Sequence, residues 1–243
     1  MDAHEHERLA HFEEWYWWHR GRQASVERIL AHSLAPGARI LDVGCGTGAT
    51  TWALRRFGPV VGLDIGPEAL RRARARGLAV ARASAARLPV RPSSVDLVVA
   101  LDVLEHLDDD VAAAREMLAA LRPGGRLLVT VPAYPFLWSG HDEALGHRRR
   151  YRRRGLVAAL GRAGFEIELA TYLMASILPA AIAVRLWERW LRRAPARRES
   201  GYVVVPRALN ELLAALTRAG SATLPWLRLP FGLSIAALAR RPD

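Results

Sequence analysis

The chain has 243 residues, a formal net charge of +11 and 51% hydrophobic residues. This length accommodates one substantial hydrophobic core, and the apolar content excludes an intrinsically disordered protein. The positive charge comes from arginine alone and favours anionic partners, whether phospholipid headgroups, phosphorylated substrates or nucleic acid. The single cysteine, Cys45, excludes an internal disulfide and a zinc–cysteine cluster, which is typical of a reducing compartment.

Residues 1–35 are predicted to form an N-terminal helical cap. Four aromatic residues at 15–18 are followed by His19, Arg20 and Arg22, and a helical pattern covers 25–32. Two interpretations remain open: a helix that packs across a sheet edge, or a lid over a ligand with Arg20 or Arg22 near a ligand carboxylate. No signal peptide pattern opens the chain, so we expect a cytoplasmic protein.

A short apolar run at 39–43 ends in an acid and three alternating glycines, Asp42-x-Gly44-x-Gly46-x-Gly48. This pattern predicts a buried strand that turns sharply into a helix, with side chains removed where a ligand lies against the backbone. A second predicted strand, 59–64, ends in Asp64 at the offset where such folds bind ribose hydroxyls. Asp42 would repel a pyrophosphate but not a cationic ligand.

From residue 39 onward predicted strands and helices alternate, which indicates a doubly wound parallel sheet. We predict strands near 39–43, 59–64, 78–82, 95–101 and 126–131, and helices near 48–57, 67–76, 109–121 and 153–163.

These motifs resemble those of the class I S-adenosylmethionine-dependent methyltransferases between residues 39 and 165. The shared features are the Asp42 to Gly48 loop, Asp64, the strand at 95–100 and the Pro-Gly-Gly turn that enters the strand at 121–127. The resemblance implies a seven-stranded, Rossmann-like sheet that ends in strands at 165–170 and 234–239, the last antiparallel. Residues 36–243 then form one methyltransferase domain, and 172–231 are a hydrophobic and basic helical insertion.

The resemblance also implies the cofactor and the residues that bind it. The methyl donor is S-adenosylmethionine, and the product is S-adenosylhomocysteine. The implied binding residues follow the ends of strands one to four: Asp42, Gly44, Cys45, Gly46, Gly48, Asp64, Ile65, Ser84, Ala85, Leu101 and Asp102.

Two segments after the fourth and fifth strands carry candidate catalytic groups. Glu105 lies in the first segment, and His141 and His147 lie in the second, where either histidine could serve as a general base. Asp102, Glu105, His106 and His147 resemble the metal-binding residues of small-RNA and ubiquinone-pathway O-methyltransferases, which implies a divalent ion such as Mg²⁺. The His-Asp-x-x-x-Gly-His-x-Arg-Arg-Tyr pattern at 141–151 resembles a subgroup associated with cell-envelope or lipid-linked glycan pathways.

The insertion contains an apolar stretch at 169–184 that is too short to span a bilayer. A helix at 182–193 places Val184, Leu186, Trp187, Trp190 and Leu191 on one face, and a second helical pattern covers 207–218. Residues 177–198 could therefore contact an anionic membrane on its inner face, or could cap the substrate pocket or form a dimer face.

The sequence as a whole predicts a methyltransferase that acts on oxygen of a lipid-linked, glycan or hydrophobic small molecule. Methylation or binding of nucleic acid, and a non-catalytic cofactor-binding accessory protein, are the alternatives.

Overall fold

The computed structural model describes residues 12–191, 205–224 and 227–243, with side chains as far as Trp187 in the helix that ends at Leu191. Seven strands in this part of the chain form one sheet of order β3-β2-β1-β4-β5-β7-β6. The strands are β1 (Ile40–Val43), β2 (Val60–Asp64), β3 (Val80–Arg82), β4 (Val95–Leu101), β5 (Leu121–Pro132), β6 (Glu166–Leu173) and β7 (Ser234–Arg240).

All neighbouring strands from β3 to β5 are parallel, and β7 is antiparallel to both β5 and β6. The doubly wound, seven-stranded Rossmann-like sheet with an antiparallel last strand is therefore confirmed. β5 begins earlier than predicted because Leu121 already pairs with Val95, before a shift in register.

Eight helices accompany the sheet in the described ranges. They are α1 (Trp17–Ser33), α2 (Ala49–Leu54), α3 (Pro67–Ala75), α4 (Asp110–Ala120), α5 (Gly140–Leu145), α6 (Arg153–Ala163), α7 (Leu178–Leu191) and α8 (Arg207–Ser221). A 3₁₀ turn at Leu104–His106 follows β4. The helix α1 begins at Trp17, eight residues before the predicted periodic segment, because aromatic side chains there pack on one another.

The core lies on both faces of the sheet because residues alternate between the faces along each strand. On one face Val98 and Ala100 pack with Met117 of α4 and Leu156 of α6. On the other face Leu97 and Val99 pack with α1, whose Val26, Ile29 and Leu30 are buried. The helix α1 therefore covers a sheet face rather than an edge.

Two helices, α7 and α8, lie between β6 and β7, in the segment predicted as the insertion. In the part of the chain that the structure describes, no helix combines the length and apolar character needed to cross a bilayer.

Candidate active site

The glycine loop follows β1 at the carboxyl edge of the sheet. Gly44, Gly46 and Gly48 have φ angles of +74°, +55° and +90°, a region that disfavours side chains. A Cβ atom on Gly44 would lie 2.5 Å from Val103 Cγ2, and one on Gly48 would lie 2.5 Å from Leu78 Cδ1. A Cβ on Gly46 would meet no atom within 4 Å. The outer glycines therefore permit packing, whereas the middle one borders open space where a ligand can lie against the backbone.

Asp64 joins the end of β2 to this loop. Its Oδ2 accepts a hydrogen bond from the Gly46 N–H at 2.9 Å, and its Oδ1 accepts one from the Gly66 N–H at 2.7 Å. Each carboxylate oxygen has a second lone pair, so both can still accept hydroxyl hydrogen bonds. The carboxylate is thus held beside the open space next to Gly46, where ribose hydroxyls are predicted.

Asp42 lies beneath the loop and is buried. Burial raises its pKa to about 7, although a 2.6 Å hydrogen bond from Thr51 Oγ1 and the positive charge of Arg22 act in the opposite direction. A positively charged ligand near Asp42 would favour the ionised acid and would itself gain affinity. A cationic methyl donor meets this condition.

The other residues predicted to bind the cofactor occupy the same sheet edge. Ile65 follows β2 with an exposed side chain, and Leu101 is the buried last residue of β4. Ser84 and Ala85 follow β3, where the exposed Ser84 accepts a hydrogen bond from the Ala86 N–H at 3.2 Å. Cys45 is buried, and burial raises the pKa of its thiol, which disfavours the nucleophilic thiolate form.

The N-terminal segment contacts this edge at two points. Thr47 of the glycine loop donates a hydrogen bond to Glu13, which also pairs with Arg76 at 2.6 Å. Arg22 of α1 pairs with Asp102. Arg22 therefore lies at this edge of the sheet, whereas Arg20 pairs with Glu211 of α8 at 2.7 Å. The Glu13 contact was not predicted because nothing in the sequence spacing links residues 13 and 47.

Asp102 follows β4 in a left-handed conformation with φ of +56°. Its N–H donates to the Thr130 carbonyl at 2.9 Å, and its Oδ1 accepts from Thr130 Oγ1 at 3.1 Å. With Oδ2 engaged by Arg22, this side chain is fixed between α1 and β5.

Glu105, His106 and His147 form one cluster beyond the ends of β4 and β5. One possible ligand atom from each lies within 4.8 Å of the others. The loop that carries His147 is joined to the 3₁₀ turn because the Arg148 N–H donates to the Glu105 carbonyl at 2.7 Å. Three of the four predicted metal-binding residues are thus brought together, and Asp102 is not in the group.

Glu105 is fully buried, and neither of its carboxylate oxygens has a hydrogen-bond partner among the described residues. Burial, followed by the negative charge of Asp102, raises its pKa well above the ordinary value. A buried carboxyl group without partners is costly, so such a group in a native fold indicates a ligand or a functional role.

Asp142 positions His147. Its Oδ1 lies 2.9 Å from His147 Nδ1 and accepts a 2.7 Å hydrogen bond from Arg150 Nε. Burial opposes ionisation of Asp142, but the hydrogen bonds from His147 and Arg150 hold its pKa below the ordinary value. A carboxylate on Nδ1 leaves Nε2 of the same ring for a second contact. The sequence contained a usable signal, since Ser139 and Asp142 form a capping box at the start of α5.

Two histidines near His147 have lowered pKa values, His106 of the cluster and His141 outside it. Burial, reinforced by the charge of His147, lowers the pKa of His106 to about 4. Burial likewise lowers the pKa of His141 to about 4, and its ring centroid lies 6.3 Å from that of His147. Neutral imidazoles can bind a metal ion, but a pKa near 4 makes His141 a weak base.

Comparison with known proteins agrees with this architecture. Residues 41–129 match a protein family described as a methyltransferase domain. A protein of Mycolicibacterium smegmatis named as an S-adenosylmethionine-dependent methyltransferase is 35% identical in a 161-residue alignment that covers 64% of this chain and 62% of that protein. A ubiquinone biosynthesis O-methyltransferase of Xanthomonas campestris is 33% identical in a 117-residue alignment that covers 43% of this chain and 47% of that protein. The matched region thus spans less than two thirds of either relative.

The fold is shared more widely. A chain from the complex between the Haloferax volcanii Trm112 methyltransferase activator and a methyltransferase superposes with a TM-score of 0.64 at 19% identity, over 98% of this chain and 95% of that one. The strand order of the sheet and the glycine loop after β1 are those of the class I methyltransferase fold. Together with the matched domain and its relatives, they show that the chain carries a methyltransferase domain with the class I fold.

Proposed function

We propose that the chain transfers the methyl group of S-adenosylmethionine to an oxygen atom of a hydrophobic or lipid-linked small molecule. The observation that carries this proposal is the cluster of Glu105, His106 and His147 at the sheet edge that also holds the glycine loop. The similarity to ubiquinone biosynthesis O-methyltransferases supports oxygen as the acceptor atom.

Methyl transfer from a sulfonium is an in-line displacement. The acceptor oxygen bonds to the methyl carbon as the carbon–sulfur bond breaks, S-adenosylhomocysteine leaves, and the acceptor loses its hydroxyl proton. The glycine loop and Asp64 hold the donor, and the chain's remaining tasks are to align the acceptor and to accept the proton.

When no cation is bound, His147 is the residue we assign to accept the proton. Asp142 holds its Nδ1, so Nε2 is available to the acceptor hydroxyl. His141 is the weaker candidate, because its pKa near 4 opposes proton uptake.

A divalent cation fits the cluster. Glu105 offers a buried carboxylate without partners, His106 is neutral, and the His147–Asp142 pair matches the way proteins orient a metal-binding histidine. When bound, the ion would acidify the acceptor hydroxyl. One carboxylate with two imidazoles favours Mn²⁺, Co²⁺ or Zn²⁺ over the Mg²⁺ that the resemblance implies. Asp102 could bind the same ion only if its ion pair with Arg22 were broken.

Metal titration of chelator-treated protein tests this proposal. We expect the wild type to bind one equivalent of Mn²⁺ by electron paramagnetic resonance, and the His106→Ala variant to bind it at least about tenfold more weakly. The control is His32→Ala, which removes an exposed histidine of α1. If the wild type bound none of Mn²⁺, Co²⁺ and Zn²⁺, the proposal that the cluster holds a divalent cation would be refuted.

Methyl transfer to a panel of phenolic and prenylated acceptors tests the catalytic role of the cluster. If chelation and His147→Ala both left methyl transfer unchanged, the cluster would have no catalytic role.

A further inference from the structure

The helix α8 buries its small and polar residues and exposes leucines, the opposite of a usual surface helix. Its buried residues are small or polar, namely Asn210, Ala214, Thr217 and Ser221. Leu209, Leu212 and Leu216 share one helical side and are 41%, 54% and 44% exposed. An apolar side turned away from the core of a surface helix indicates an interaction surface.

The polar side of α8 is fixed against α1. Asn210 Oδ1 accepts a hydrogen bond from the Trp17 N–H at 2.9 Å, and Asn210 Nδ2 donates to the Trp15 carbonyl at 2.8 Å. The two helices meet so closely that a Cβ on Gly21 would lie 2.5 Å from Thr217 Oγ1. Because these contacts hold α8 in place, its leucine side is not needed to attach the helix to the fold.

Further apolar side chains are exposed on the neighbouring segments. Leu186 and Trp187 of α7 are each 60% exposed, and Leu227 after α8 is 54% exposed. Leucine with tryptophan is the composition that interfacial helices insert at the boundary between headgroups and acyl chains.

The net charge of the segment between β6 and β7 distinguishes a second copy of the chain from a lipid surface as the partner. Residues 174–233 contain nine arginines and three glutamates. Arg207, Arg218 and Arg228 are exposed on or just after α8. In a two-fold dimer the same surface of both copies would meet, so these like charges would repel. An anionic lipid surface instead offers opposite charge to the arginines and an apolar phase to the leucines.

We infer that α8, with the exposed part of α7, docks the protein on an anionic membrane through Leu209, Leu212 and Leu216. This surface lies one helix away from the candidate site, since α1 contacts α8 on one side and supplies Arg22 to Asp102 on another. The docking does not depend on the proposed methyl transfer.

Vesicle flotation tests the inference. We expect the wild type to float with vesicles of equal phosphatidylcholine and phosphatidylglycerol, less so as salt is raised, and to remain unbound with phosphatidylcholine alone. In the triple variant Leu209→Gln, Leu212→Gln, Leu216→Gln the bound fraction should fall by more than about tenfold. Trp52→Gln is the matched control, because it replaces an apolar side chain that is 58% exposed on α2. This variant should float like the wild type.

Three results would overturn the inference. They are no flotation of the wild type, equal flotation of the triple variant, and a solution dimer that the triple variant abolishes, which would assign the leucines to self-association. Thermal unfolding and S-adenosylhomocysteine binding should match the wild type in the triple variant, which shows that it is folded. A wild type that floats but binds no S-adenosylhomocysteine would refute the proposed function and leave the docking intact.

Discussion

The Glu105→Gln variant is expected to lose methyl transfer by at least about 100-fold while its free energy of unfolding equals or exceeds that of the wild type. Glutamine keeps the shape of the side chain but cannot supply a carboxylate. Since Glu105 is fully buried and its oxygens lack partners among the described residues, replacement breaks no hydrogen bond. Loss of activity without loss of stability is the behaviour of a functional residue rather than a packing residue.

The sign of the stability change follows from the pKa of Glu105, which burial and Asp102 raise above its ordinary value of 4.5. An acid whose pKa is raised by folding contributes its full stability below that ordinary value, and the contribution is lost as the pH rises. The stability advantage of Glu105→Gln over the cation-free wild type should therefore grow from pH 4.5 towards neutrality. Urea unfolding at a series of pH values measures it.

Asp96→Asn is the matched control for Glu105→Gln. Asp96 lies at the opposite end of β4, where Arg39 and Arg122 pair with it, and the hydrogen bond from Arg39 lowers its pKa. We expect this variant to lose stability at neutral pH and to retain methyl transfer. If Asp96→Asn and Glu105→Gln behaved alike, Glu105 would be a structural residue only.

The Gly46→Ala variant is expected to weaken S-adenosylhomocysteine binding by more than about tenfold. The added methyl group would meet no protein atom within 4 Å, so it would occupy the open space assigned to the cofactor. The φ of +55° adds a strain of about 1 kcal/mol for any side chain there. Isothermal titration calorimetry measures the affinity.

Gly77→Ala is the control that separates the effect of backbone strain from the effect of lost space for the ligand. Gly77 has a φ of +72° and also has no atom within 4 Å of a Cβ position, but it lies in the turn after α3. Both variants should lose similar stability, and only Gly46→Ala should lose affinity. Equal affinity of the two variants would mean that the cofactor does not lie against Gly46.

The alternation of strands and helices and the glycine loop could be predicted from sequence because they depend on local patterns. Apolar runs at 39–43 and 95–101 end in polar residues, and parallel strands bring those ends to one edge. Helix α1 was less predictable: it begins in an aromatic cluster, and the partner of that cluster is the distant helix α8, through Asn210.

The residues of the candidate site could be predicted from sequence, but their contacts with one another could be predicted only in part. The sequence placed Asp102 with Glu105, His106 and His147, whereas the structure pairs Asp102 with Arg22 of α1. That pair joins residues 80 positions apart, and no spacing rule reaches that far. The role of Asp142 in holding His147 depends likewise on how α5 is capped.

The central claim is that a cationic methyl donor lies against Gly46 with its ribose on Asp64. Calorimetric titration of the full chain with S-adenosylmethionine and S-adenosylhomocysteine tests it most directly. We predict one site for each compound, with affinity reduced in Asp64→Ala. No heat with either compound, together with saturable binding of a nicotinamide or flavin dinucleotide, would contradict the claim.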